Sequence, residues 1–301
     1  MHPPKIFAGS SNPNLAQDIS KLSKIPVGKI DLGIFSDGEI DVWVGEDVNN
    51  SDVFILQSNS YPVNNNIIEL ALIADALRRA GAHKITAVIP YFGYSRKEKQ
   101  SRVGEPISAK VIADLIISSG INKVICLDLH ADAIVGFFST PVIYLSALET
   151  LAARIKKEKL TNPIVVAPDV GGVKRARNYA NLLNVPLAVI EKNRSTKERD
   201  KMEVLSMSGE VTGDTAIIID DVISTGGTII ESAKALKARG VKKVIACATH
   251  AVFAANAVEK LENSPIDMFF VTDSIAQTQK SKKIEVVSVA KLFADTIRQE
   301  I

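Results

Sequence analysis

The chain has 301 residues, 46% of them hydrophobic and 23% charged, a balance that suits two cores of roughly 150 residues each and excludes long disorder. Its formal net charge of +2 gives no global pull toward nucleic acid or an anionic membrane, so any anion site has to be built locally. No basic segment followed by a long apolar run opens the sequence, and no apolar stretch approaches the roughly 18 residues that span a bilayer, so a cytoplasmic protein that meets neither nucleic acid nor membrane is expected.

Short β-branched runs alternate with segments of helical period. VFILQ from Val53 is followed by a helix over 66–80, ITAVI from Ile85, a helix over 107–119, and KVICLD from Lys123. That order is βαβ rhythm. In the first helix Ile67, Leu70, Ala71, Ala74 and Leu77 recur at helical spacing, with Asn66 expected as the cap and Gly81 as the left-handed residue that ends it. The second starts behind Pro106 and stops at Gly120.

The rhythm returns with IVVAP from Ile164, a helix over 173–183, PLAVIEK from Pro186 and TAIIID from Thr215. A helix over 228–239, KVIACAT from Lys243, MFFVT from Met268 and a last helix over 291–299 complete it. Cys126 and Cys247 lie inside apolar runs, where a buried reduced thiol is the default.

ALRRAGAHKITAVIP from Ala76 and ALKARGVKKVIACAT from Ala235 share helix end, glycine and strand, so the chain reads as a duplication. The expected fold class is α/β, with two similar domains, each a mostly parallel sheet flanked by helices. Their expected bounds are 1–146 and 147–301, although the last helix suits either domain.

The copies differ just before that shared helix. The second half has the run Ile217 to Thr228, IIIDDVISTGGT, where the first half has FILQSNSYPVNNN. A buried strand running into Asp220 and Asp221, then a loop of Ser224, Thr225, Gly226, Gly227 and Thr228 that opens a helix, suits a phosphate monoester. The glycines permit tight turns, the helix N-terminus offers unpaired N–H donors, and the threonines add hydroxyls. The acid pair is placed to hold ribose hydroxyls and, directly or through water, Mg²⁺.

This segment resembles the fingerprint shared by phosphoribosyltransferases and ribose-phosphate pyrophosphokinases. Further motifs, collinear from about Phe7 to Phe293, resemble the pyrophosphokinase family alone. They are PYFGYSRKEKQSRVGEP from Pro90, CLDLHA from Cys126, FSDGE from Phe35, PDVGGVKR from Pro168 and IEKNRSTK from Ile190. The resemblance implies two domains of phosphoribosyltransferase-like type, the first binding nucleotide and the second ribose 5-phosphate.

The resemblance also implies roles. The loop from Pro90 is a flag over ATP, with Arg96, Lys97 and Lys99 as contacts; family members usually carry Gln where Lys97 stands. His130 is a contact to nucleotide phosphate or Mg²⁺, and Asp169 a metal ligand in a loop that holds diphosphate. Phe35, Asp37 and Glu39 reach the ATP of a neighbouring subunit, so a homo-oligomer built from dimers, as large as a hexamer, is implied. Lys192 and Arg194 are the catalytic basic pair. Many relatives have an acid where this chain has Ser224, and the chain ends at Ile301, without the extended tail of many phosphate-activated, ADP-inhibited relatives.

The implied reaction moves the β,γ-diphosphoryl group of ATP onto the 1-hydroxyl of ribose 5-phosphate, with Mg²⁺ as cofactor. Three rivals remain at this point: a phosphoribosyltransferase that uses the product, a non-catalytic regulatory paralogue, and a purine-responsive DNA-binding regulator. The first explains only the acid-glycine segment, the second would be expected to carry a damaged loop, and the third lacks a basic stripe or helix-turn-helix segment.

Overall fold

A computed structural model describes residues 2–194, 202–209 and 213–301, without the side chains of 192–194 and 202–206. The chain divides into two compact units, the first made of Met1–Ser146, Ser274–Ala276 and Ser288–Ile301, the second of Ala147–Asp273 and Gln277–Val287.

The first unit runs β1 (His2–Ala8), α1 (Pro13–Ser23), β2 (Ile30–Ile34), β3 (Ile40–Val44), β4 (Ser51–Leu56), α2 (Val63–Arg79), β5 (Lys84–Ile89), α3 (Ser108–Ser118), β6 (Lys123–Leu127), a 3₁₀ helix (Asp132–Phe137) and β7 (Val142–Leu145). Its main sheet has the order β1-β4-β5-β6-β7 and is parallel throughout. β2 and β3 form a separate antiparallel hairpin. The strands are apolar on both faces because helices cover both faces of such a sheet, and Phe7, Ile55, Ala87 and Cys126 from four of them meet Leu70, Ala74 and Leu77 of α2 in one core.

The second unit runs α4 (Leu148–Ile155), β8 (Pro163–Ala167), α5 (Val173–Leu183), β9 (Leu187–Arg194), β10 (Met202–Ser208), β11 (Thr215–Ile223), α6 (Gly227–Ala238), β12 (Lys243–Ala251), α7 (Ala257–Glu262), β13 (Met268–Thr272) and β14 (Ile284–Val287). Its sheet has the order β10-β9-β8-β11-β12-β13-β14. All neighbours are parallel except β9 and β10.

The final helix, α8 (Ala290–Gln299), belongs to the first unit, which corrects the expected second domain of 147–301. Its buried face carries Phe293, Ala294 and Ile297, and it packs on α1. Removing side chains of the size of Phe293 and Ile297 from water contributes about 1.5–3 kcal/mol each. Glu300 just beyond the helix pairs with Lys84 and Lys123, the first residues of β5 and β6, so the helix is also fixed by charge at its end.

Five neighbouring strands of the second sheet repeat the first sheet strand for strand. β1-β4-β5-β6-β7 matches β8-β11-β12-β13-β14 in order and direction. The register agrees as well: Leu56 pairs with Val88 as Ile219 pairs with Cys247. Gln57 therefore stands where Asp220 stands, and Ser58 where Asp221 stands.

Three local expectations are revised. α2 begins at Val63 behind Pro62, so Asn66 is inside the helix, where its amide donates to Ser60 O at 2.9 Å. β6 ends at Leu127, so Asp128, the last residue of the expected strand KVICLD, lies just outside it with φ 37°. β11 continues to Ile223 beside β12, past the expected end at Asp220, so both acids lie within the strand. The expected stops at Gly81 and Gly120 are observed, with φ of 85° and 101°.

Candidate active site

The acid pair sits near the C-terminal end of β11, a central strand of the second sheet. Asp221 is 3% exposed, and its N–H donates to Asp220 Oδ1 at 2.9 Å, which turns the Asp220 side chain toward the next residue of the strand. Burial, with the Asp221 carboxylate beside it, pushes the Asp220 carboxyl above its ordinary value of 3.8. The compensating charge comes from α5: Arg175 Nη1 lies 3.2 Å from Asp221 Oδ1 and 3.6 Å from Asp220 Oδ1.

Beyond the strand, Ser224 is half-buried, Thr225 is exposed and Thr228 is half-buried. Gly226 has φ 78° and precedes α6, and no side chain caps the helix start. The first N–H groups of α6 are therefore offered to a ligand beside two carboxylates, a pairing that fits an anionic group on a hydroxylated carbon chain.

β8 is the parallel neighbour of β11, so the loop after β8 opens at the same sheet edge, where α/β folds hold their ligands. In it Asp169 is exposed, and its Oδ1 accepts the Gly172 N–H at 2.9 Å. This bond shapes the turn into α5. Lys192 and Arg194 occupy the last residues of β9, next to β8, and pair in backbone register with Val204 and Met202 of β10; their side chains lie outside the described residues.

In the first unit, Arg96, Lys97 and Lys99 are exposed in the loop between β5 and α3. Glu105 organises that loop. Its carboxylate accepts the N–H groups of Ser101 and Arg102 at 3.1 and 3.2 Å and lies 3.8 Å from Lys97 Nζ. His130 is half-buried just after β6, the neighbour of β5, so it shares a sheet edge with the base of that loop. Phe35, Asp37 and Glu39 are exposed at the tip of the β2–β3 hairpin, which rests on α2. There Phe35 N–H donates to Glu39 O at 2.8 Å and Asp37 Oδ1 accepts Glu39 N–H at 3.1 Å.

The first unit closes its own copy of the acid site with internal hydrogen bonds. Glu69, 6% exposed, accepts from Ser10 N–H at 2.6 Å, Ser10 Oγ at 2.8 Å and Gln57 Nε2 at 2.7 Å. Gln57 Oε1 accepts Ser11 N–H at 3.1 Å and Ser11 Oγ at 2.6 Å. Here a single carboxylate, Glu69, held by neutral donors, replaces the acid pair and guanidinium of the second unit.

Arg175 was not singled out by sequence reasoning, because its partners lie far along the chain; the available signal was a basic residue soon after the paired glycines of the Pro168 loop. Among the described residues, no group of three or more His, Cys, Asp or Glu could hold a metal ion. Nor is any helix there long and apolar enough to cross a membrane.

Comparison with known proteins agrees with this geometry. The model of the N-terminal domain of ribose phosphate pyrophosphokinase matches residues 4–120, and that of the phosphoribosyl transferase domain matches 143–282. The ribose-phosphate pyrophosphokinase of Chromobacterium violaceum is 47% identical over 98% of this chain and 90% of its own. That of Aquifex aeolicus is 46% identical over 98% and 95%. The crystal structure of phosphoribosylpyrophosphate synthetase from Mycobacterium smegmatis superposes with a TM-score of 0.93, at 36% identity and 99% coverage of both chains. With both halves matched, in order and over nearly their whole length, the chain belongs to the ribose-phosphate pyrophosphokinase family.

Proposed function

We propose that this chain transfers the β,γ-diphosphoryl group of ATP to the 1-hydroxyl of ribose 5-phosphate, giving 5-phosphoribosyl 1-diphosphate and AMP. The carrying observation is the acid pair of β11 followed by an uncapped α6, in a chain whose first half also matches the pyrophosphokinase family. A phosphoribosyltransferase would account for residues 143–282 alone.

The second unit takes the sugar phosphate. The 5-phosphate sits on the N–H groups and hydroxyls from Ser224 to Thr228, and Asp220 and Asp221 accept hydrogen bonds from the ring hydroxyls. The first unit takes the nucleotide through Arg96, Lys97, Lys99 and His130. Transfer of this kind asks for an in-line nucleophile, cations at the phosphate oxygens and exclusion of water. Lys192 and Arg194 supply positive charge to the transferred group and the departing AMP.

Mg²⁺ fits the donors present. It is commonly held by one or two carboxylates together with substrate phosphates, and the described residues form no all-protein cage. Asp169 and His130 are the side chains proposed to meet such ions. When bound, Mg²⁺ neutralises phosphate charge and lowers the pKa of a coordinated hydroxyl.

The exposed hairpin supports a homo-oligomer built from dimers. Ile34, Phe35 and Trp43 are 70%, 53% and 62% exposed, more apolar surface than one small ribbon ordinarily leaves in water. Contact with a second copy would cover it and bring Phe35, Asp37 and Glu39 to that copy's ATP.

Incubation with ATP, Mg²⁺ and ribose 5-phosphate, with nucleotides resolved by chromatography, tests the reading. AMP formed only in the presence of the sugar is expected; ADP, or no nucleotide product, would refute it.

A further inference from the structure

The two halves of this chain provide an internal comparison that bears on Arg175. Counting from the first helical residue, α5 and α1 align so that buried Ala176 and Tyr179 match buried Ala16 and Ile19. Arg175 then corresponds to Leu15, which is 2% exposed. By strand register, Asp220 and Asp221 correspond to Gln57 and Ser58. One half therefore carries Arg, Asp and Asp, and the other Leu, Gln and Ser. Both build the same five-strand parallel order, so the fold does not require the charged set.

The charges also bear on ligand binding. Two carboxylates on consecutive residues, largely removed from water, repel each other, and neutral sugar hydroxyls add no positive charge to offset this. The guanidinium of Arg175 supplies it, 3.2 Å from Asp221 Oδ1 and 3.6 Å from Asp220 Oδ1. A planar cation reaching one oxygen of each acid brings the two groups to the same side, although successive strand residues point to opposite faces. Bond Asp221 N–H to Asp220 Oδ1, at 2.9 Å, turns the first acid toward the second.

We propose that Arg175 is a positioning residue of the sugar site: it holds the Asp220 and Asp221 carboxylates side by side, so that both accept hydrogen bonds from the adjacent 2- and 3-hydroxyls of ribose 5-phosphate. It thereby sets the preference for ribose over 2-deoxyribose. This rests on the reading of the β11–α6 loop as the sugar-phosphate site. Arg175 leaves the phosphate to the α6 N-terminus and acts on the diol alone, through the acids.

Calorimetric titration of the full chain with ribose 5-phosphate and with 2-deoxyribose 5-phosphate tests this. The parent is expected to prefer ribose by at least about tenfold, the loss of one hydrogen bond to a charged acceptor. Arg175→Leu, the residue of the first half, should weaken ribose 5-phosphate by about 10- to 100-fold. It should also bring the two sugars to within about threefold of each other, a change of well under one such hydrogen bond. Arg175→Lys should fall between parent and Leu on both counts. Where the Leu variant fails to fold by circular dichroism, Arg175→Gln, neutral and polar, carries the same expectations. A folded Leu or Gln variant with parental affinity and parental preference overturns the inference while leaving the sugar site intact. A parent that binds neither sugar phosphate overturns the site and the inference together.

Discussion

Gly226 lies so close to Leu261 that a Cβ built on it would stand 2.9 Å from Leu261 Cδ2. Its φ of 78° is costly for any residue with a side chain, about 1–2 kcal/mol. Gly227, one residue on, has only Thr225 Oγ1 near its Cβ position, at 3.9 Å. The neighbouring glycines therefore serve different ends, the first the turn and the second the approach of a ligand. Gly226→Ala is expected to lower the melting temperature by about 2–4 °C per kcal/mol lost. Gly227→Ala should leave it nearly unchanged and raise the KM for ribose 5-phosphate. Melts and steady-state kinetics on the pair check this, and equal destabilisation by both would contradict it.

Asp220 links stability to pH. Its carboxyl is raised above 3.8, first by burial and then by Asp221. The folded chain thus keeps a proton that the unfolded chain releases as pH climbs past 3.8, and stability falls with rising pH until the folded group ionises too. Asp220→Asn removes this contribution. The unliganded variant should lose less stability than the parent between about pH 5 and about pH 8, while its sugar binding is impaired. Thermal melts of both proteins at the two pH values decide it, and parallel losses would contradict the assignment.

Lys192 lies near the end of β9, whose neighbour, β8, leads into the Asp169 loop. If its charge acts on the transferred group, Lys192→Ala should lower kcat by about 10² to 10³ fold, with a smaller effect on either KM. An unchanged kcat would remove Lys192 from the reaction.

Phe35, 53% exposed at the hairpin tip, should serve another subunit's nucleotide. Phe35→Ala is expected to raise the KM for ATP and leave calorimetric binding of ribose 5-phosphate unchanged. Mixed with Asp220→Asn under conditions of subunit exchange, it should show higher activity at subsaturating ATP than either variant alone, because one subunit then carries an intact sugar site beside an intact partner hairpin. Absence of that gain in mixed oligomers would place the hairpin outside the ATP site.

Most of the architecture was legible because its signals are local. β-branched runs such as ITAVI became β5, and helix stops at Gly81 and Gly120 took the left-handed backbone that only glycine adopts cheaply. Asn66 misled because Asn is a common cap, whereas Pro62 sets the start of α2 a turn earlier and the Asn66 amide holds Ser60 O. The docking of α8 was not legible: the pattern of Phe293 and Ile297 shows that one face is buried but not which unit buries it. The acid pair stood out by composition. Its counter-ion did not, since the Arg175 contact depends on β8 and β11 being neighbours, a matter of topology and not of spacing.

The central claim, transfer of a diphosphoryl group and not of a single phosphoryl group, is tested most directly by ATP labelled at the β-phosphorus. With ribose 5-phosphate and Mg²⁺ present, the label is predicted to leave the nucleotide and appear in the sugar product, in step with AMP. Label retained in ADP while the sugar gains only the γ-phosphoryl group would contradict the account.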